Sequence, residues 1–172
     1  MPQVVAEKKP KLPLKYVIFG VIGLVLAVVM GIAAWFLLPQ KQSVAELVAE
    51  STDLSEQGKT QDALNKLNGR YAHTYKREDK ALLEMGLQIV YENSKNYPKA
   101  IEAAENAIRY GAAEGDMDAA LARAYEATGD KAKAREYYQK AVDYYNSKYA
   151  NEPNHQSNYA KYYQERLREV GE

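Results

Sequence analysis

The chain has 172 residues and no cysteine, which excludes a disulfide framework, a thiolate metal site and a thiol nucleophile. Its 23 Lys and Arg balance its 23 Asp and Glu, but four of the former and one of the latter fall in residues 1–38, leaving 19 against 22 in the rest. That remainder of 134 residues carries a charge of −3; it suffices for one domain with a modest core, not for two catalytic lobes, and matches nucleic acid poorly.

Residues 1–15 form a tail with Lys8, Lys9, Lys11 and Lys15 as its basic side chains. Residues 16–38 follow as 23 positions without charge, amide or aliphatic hydroxyl. As a helix they would extend about 35 Å, enough to cross a hydrocarbon core of about 30 Å, so a single transmembrane helix is expected there. Tyr16 and Trp35 stand near its two ends as interfacial anchors, and Pro10, Pro13 and Pro39 lie outside it. The basic tail predicts an N-terminus on the cytoplasmic side of an inner membrane and a domain outside it. The same stretch read as a cleaved leader would end near Gly31, Ala33 and Ala34, although it is longer than the usual apolar core of a signal. Gly23, Ala27 and Gly31, four apart, would give a small-residue seam for a second helix or simply face lipid.

A linker at 39–42 leads to a helical domain at 43–172. In its first part, Leu47, Leu54, Gly58, Ala63, Leu64 and Leu67 give helix, turn, helix over roughly 43–71. Downstream, an offset of 34 aligns residues 81–114 with 115–148 and makes eight pairs identical, among them Leu87/Leu121, Tyr91/Tyr125, Glu92/Glu126, Ala100/Ala134, Ala107/Ala141 and Tyr110/Tyr144. Ala63 precedes Ala100 by 37 residues, so the first unit needs a three-residue insertion, placed within 68–77. Residues 147–156 read as a polar loop around Pro153, and a terminal helix near 156–170 carries a stripe of Tyr159, Tyr163 and Leu167.

Helical pairs at this period, with Leu121, Ala122, Tyr125, Gly129, Ala134, Tyr138 and Ala141 at packing positions, resemble the tetratricopeptide repeat. The pattern departs at Glu84 and Asp118, where that family often has Trp, and at Gln88 and Ala104. The implied fold is all-α: one transmembrane helix, then a short solenoid of about three helix-turn-helix units and a capping C-terminal helix. The small residues let the second helix of each pair approach its neighbours, with Tyr91, Tyr125 and Tyr138 filling the space between.

Residues for chemistry are sparse. His73 and His155 stand far apart in expected loops with no partner at a recognisable spacing. Asp116 and Asp118 lack the further oxygens of a calcium loop and read as helix-start acids, as Asp130 reads as a cap after Gly129. No phosphate loop or hydrolase motif occurs, so neither an enzyme nor a cofactor or metal site is expected. Tyrosine is the abundant aromatic, with nine of fifteen between Tyr125 and Tyr163. In Tyr137-Tyr138 and Tyr144-Tyr145, adjacent helical positions point about 100° apart, so one ring of each pair should be buried and the other more exposed. Tyr137, Tyr144, Tyr145 and Tyr149 are therefore either a partner patch or solenoid packing.

The resemblance further implies a concave, ligand-holding surface on the first helices of the pairs. In this sequence that surface carries Leu82, Met85, Ile89, Glu92 and Asn93, then Asp116, Ala119, Arg123, Glu126 and Ala127. Leu82, Met85 and Ile89 would either accept an apolar side chain or cover the unit upstream. Met85, Ile89 and Ala119 stand where the family's clamp for a terminal carboxylate needs Lys or Asn. The function implied is a membrane-tethered scaffold for protein or peptide partners, similar in arrangement to ancillary proteins of secretion, translocon or envelope machines. The alternative is a structural subunit of such a machine, oligomerising through the seam and the solenoid.

Overall fold

The computed structural model describes residues 24, 25, 27–30, 42–150 and 158–171, and it separates residues 1–41 from residues 42–172 as two units. In the first unit, residues 24, 25 and 27–30 are helical with exposed side chains. The expectation of a transmembrane helix is corrected here: among the described residues no helix is long and apolar enough to cross a membrane. The described positions between 24 and 30 extend over only about 10 Å of helix, a third of the thickness that a span requires. Ala27 is helical and exposed, while Gly23, Gly31 and the basic tail lie outside the described residues.

The second unit is all-helical among its described residues. Its helices are α1 (Val44–Glu56), α2 (Thr60–Tyr71), α3 (Arg77–Asn93), α4 (Tyr97–Arg109), α5 (Glu114–Ala127), α6 (Lys131–Lys148) and α7 (Asn158–Gly171). They pack as the hairpins α1/α2, α3/α4 and α5/α6, with α2 against α3, α4 against α5 and α7 against α6. The first helices also meet in series, α1 on α3 and α3 on α5. The three-residue insertion expected within 68–77 shows as an additional first turn of α3, which has 17 residues against 14 in α5, and residues 147 and 148, expected in a loop, complete the last turn of α6.

Local chemistry fixes the helix ends. Ser43 caps α1 in a reciprocal box: its hydroxyl accepts from the Glu46 amide at 3.2 Å, and the Glu46 carboxylate accepts from the Ser43 amide at 2.9 Å. Asp130 caps α6 by accepting from the Lys133 amide at 3.1 Å. Each hairpin turn closes with an amide bonded five residues back, Lys59 to Leu54, Asn96 to Tyr91 and Asp130 to Tyr125. The residue before each of those amides is left-handed: Gly58 at φ 78°, Lys95 at φ 60° and Gly129 at φ 83°. Lys95 thus holds a conformation that costs a side-chain-bearing residue about 1 kcal/mol. Lys95→Gly is expected to raise stability by about 0.5–1 kcal/mol, read as a higher urea midpoint at an unchanged slope.

Between helices, Ala63, Ala100, Ala107, Ala134 and Ala141 are fully enclosed and let the backbones approach. Three apolar clusters follow along the stack: one around Leu67, Leu83 and Val90, one around Ala104, Met117 and Leu121, and one around Tyr138, Tyr145 and Tyr163. The swap between units is compensated at one position. Met85 packs on the cluster containing Ala104, whereas 34 residues on Ala119 shares a cluster with Tyr138, so the large and small partners exchange places.

Candidate functional site

The first-helix face that the sequence marks as a groove carries a series of cross-helix ties, and a recess of about 320 Å³ lined by Arg123, Glu126, Ala127, Tyr138, Tyr162 and Arg166 opens beside the last of them. Arg123 on α5 donates from Nε to Glu92 on α3 at 2.7 Å and from Nη2 at 3.1 Å. One unit later Arg166 on α7 donates to Glu126 on α5, and also to Glu169. One unit earlier the Asn93 amide donates to Ser55 Oγ on α1 at 2.7 Å. Both members of the identical pair Glu92/Glu126 thus receive an arginine from the next first-type helix, and α7 stands as that helix for the last unit. Tyr138 also donates to Glu126 at 2.7 Å. Burial opposes ionisation of Glu126, yet the Tyr138 hydroxyl and Arg166 bring its carboxyl below the usual range. For Arg123, burial works against the charge, and the Glu92 carboxylate more than restores it. Leu82 and Met85 are half-buried in the seams, packed on the first and second clusters respectively, and Ile89 is half-buried.

Of the tyrosine patch only Tyr145 is buried, and Tyr137, Tyr144 and Tyr149 are half-buried. Tyr145 is buried, with its ring centroid 5.3 Å from Tyr144, 6.4 Å from Tyr149, 5.3 Å from Tyr159 and 5.9 Å from Tyr163. Its hydroxyl donates to Asp116, which is what that first-turn acid does in place of capping; burial and this carboxylate both push the phenol up. In both adjacent pairs the second ring, Tyr138 and Tyr145, is buried, while Tyr137 and Tyr144 are half-buried. The rings that reach solvent on this side are instead Tyr159 and Tyr162 of α7. His73 sits exposed in the turn after α2, and His155 lies outside the described residues.

A recess that the motifs do not mark opens between α2, α3 and α4. It is a cavity of about 340 Å³ lined by Asn68 and Tyr71, by Glu84, Leu87 and Tyr91, and by Lys99, Glu102, Ala103 and Asn106. Lys99 Nζ lies 5.4 Å from the centroid of the Tyr91 ring, and Lys80 Nζ lies 5.7 Å from that of Tyr71, whose hydroxyl donates to Tyr110 at 3.3 Å. Glu84 is buried, and burial lifts its carboxyl above the usual range, with the neighbouring Tyr71 hydroxyl and Asn106 amide opposing the rise. The sequence signals were the acid at the same repeat position in both units, Glu84 and Asp118, and the unlike pair Ala103/Tyr137. The first reads as a family departure, and the second gains meaning only once the helices are in place.

Asp118 lines a second recess with Ile108, Glu114, Lys140, Asp143 and Tyr144. Burial pushes its carboxyl up to about 6, with Lys140 opposing and Glu114 and Glu136 adding to the rise. The folded state therefore takes up a proton near pH 6, where the unfolded chain, at about 3.9, does not. Stability contributed here is absent above pH 6 and grows as pH falls toward 4; Glu84 acts in the same direction, and Glu126, held low, is lost only under stronger acid. The melting temperature is expected to rise between pH 7.5 and 5, and Asp118→Asn should flatten that rise while raising the value at pH 7.5. A fall over the same interval in the parent chain would contradict this assignment.

Among the described residues no group of three or more His, Cys, Asp and Glu is arranged to hold a metal ion. Comparison with protein-family models, with curated proteins and with solved structures finds no match for this chain.

Proposed function

We propose that the helical stack over residues 42–171 is a scaffold that holds other polypeptides by equilibrium binding. The observation that carries this reading is the recess between α2, α3 and α4, where two phenol rings and Leu87 meet Glu84, Glu102, Asn68 and Asn106 around one open cavity. Phenol faces beside convergent charged and amide groups can orient a ligand without covalent chemistry. The resemblance of the paired windows to tetratricopeptide repeats supports a polypeptide rather than a small metabolite as the ligand. The ties Glu92–Arg123 and Glu126–Arg166 engage polar groups of the first-helix face in contacts within the fold, which favours recognition at the recess between α2, α3 and α4.

Selection from a displayed random-peptide library on the immobilised full chain tests the reading. The expected result is a convergent sequence motif, with synthetic peptides binding at about 1–100 µM and competing with one another. A library that fails to converge, or peptides whose binding is unchanged when Tyr91 and Asn106 are replaced together, would remove it.

A further inference from the structure

The two aligned units differ in the ring that faces the conserved tyrosine of the first helix. In the last unit, Tyr137 of α6 stacks on Tyr125 of α5 with centroids 5.5 Å apart and planes 9° apart. In the preceding unit Tyr91 stands in the place of Tyr125, but Ala103 stands in the place of Tyr137. The neighbouring lysine is kept in both, Lys99 over Tyr91 at 5.4 Å and Lys133 over Tyr125 at 4.7 Å. The loss of a ring at Ala104 relative to Tyr138 is offset by Met85, whereas Ala103, itself buried against the first cluster, lines the recess beside Tyr91.

We propose that this recess takes a tyrosine side chain from a bound polypeptide, stacked on Tyr91 where Tyr137 stacks on Tyr125. The chain's own Tyr137 shows which ring suits the place. The lining favours a phenol over a plain apolar ring, because Glu84, Glu102, Asn68 and Asn106 offer acceptors for a hydroxyl. It disfavours a phosphorylated ring, since Glu84 and Glu102 face the cavity and Lys99 is the one cation among its lining residues. The open mouth suits a residue on an extended segment, inserted from outside. This inference deepens the scaffold reading and rests on it for the source of the tyrosine.

The probe is N-acetyl-tyrosine amide, titrated into the full chain labelled with ¹⁵N. Saturable shifts at the amides of Tyr91, Ala103 and Asn106 are expected, with a dissociation constant on the order of millimolar, as for a ligand of so few atoms. N-acetyl-leucine amide and the O-phosphorylated tyrosine amide should each bind at least fivefold more weakly. Ala103→Tyr, which fills the recess from within, should abolish the response at a lowered melting temperature, because position 103 is buried against the first cluster. If that variant fails to fold, Ala103→Leu serves as a smaller plug, read the same way. A flat titration, an equal response to the leucine amide, or full binding in a folded plugged variant would each overturn the proposal. Peptides that still converge in the library selection while the titration is flat would leave the scaffold standing and remove the tyrosine site alone. Shifts at these amides that follow protein concentration without probe would assign the recess to a second copy of the chain and overturn it as well.

Discussion

Gly115→Ala is expected to destabilise the domain by about 2–3 kcal/mol and to lower its melting temperature by roughly 6–12 °C. Taken as a helix substitution alone, the change should stabilise by about 1 kcal/mol, because alanine is the better helix former. Position decides the sign. Gly115 is buried in the first turn of α5, and a Cβ there would overlap Cγ, Cδ1 and Cε1 of the Tyr144 ring on α6. The overlapped atoms sit near the base of a ring already packed edge-on against Tyr145, so Tyr144 cannot swing away without disturbing the cluster. Gly69 in α2 supplies the contrast, since nothing lies within 4 Å of a Cβ built on it, and Gly69→Ala should stabilise by about 0.5–1 kcal/mol. Thermal melts of the two variants should move in opposite directions. Adding Tyr144→Ala to Gly115→Ala should recover part of the loss, and strict additivity of the two changes would rule out the ring as the cause.

Tyr138→Ala is expected to cost about 3–5 kcal/mol, a large share of what a domain of this size has to lose. Tyr138 is completely enclosed, its ring lies 6.1 Å from that of Tyr163 on α7, and its hydroxyl reaches Glu126 on α5. The side chain thus joins three helices, and removing it opens a cavity where α5, α6 and α7 meet. Tyr138→Phe keeps the volume and loses the hydroxyl, for about 1 kcal/mol, because Glu126 keeps Arg166 as a partner. Urea titration of both variants separates the packing from the polar contribution. Equal losses in the two would show that the hydroxyl, not the ring, carries the effect.

The 34-residue offset is sufficient to place the second and third hairpins, because pairs such as Ala100/Ala134 and Ala107/Ala141 mark close helix approach and admit little else. Asp130 after Gly129 reads correctly as turn and cap, since both signals are local. The ionic ties are different in kind. Glu92 meets Arg123, and Glu126 meets Arg166, at separations of 31 and 40 residues set by how whole helices lie, so charge patterning along one helix is silent about them. Glu92, Arg123 and Glu126 thus read as groove residues in sequence and act as cross-ties in the fold. The tyrosines show the same limit: composition flags the cluster, while only the docking of α7 decides that Tyr145 turns inward. The recess beside Tyr91 opens between three helices, and an alignment of the chain with itself records there only that Ala103 and Tyr137 are an unmatched pair.

Each tie over residues 42–171, Ser55 to Asn93, Glu92 to Arg123 and Glu126 to Arg166, reaches only the adjoining first-type helix. Among the described residues no strut spans two steps. Loosening therefore begins at a rim, in α1 or α7, and must undo every rung before it reaches the middle. The cavity flanked by α2, α3 and α4 lies inboard of one rim, so an occupant wedged there would act as a brake on fraying from that side.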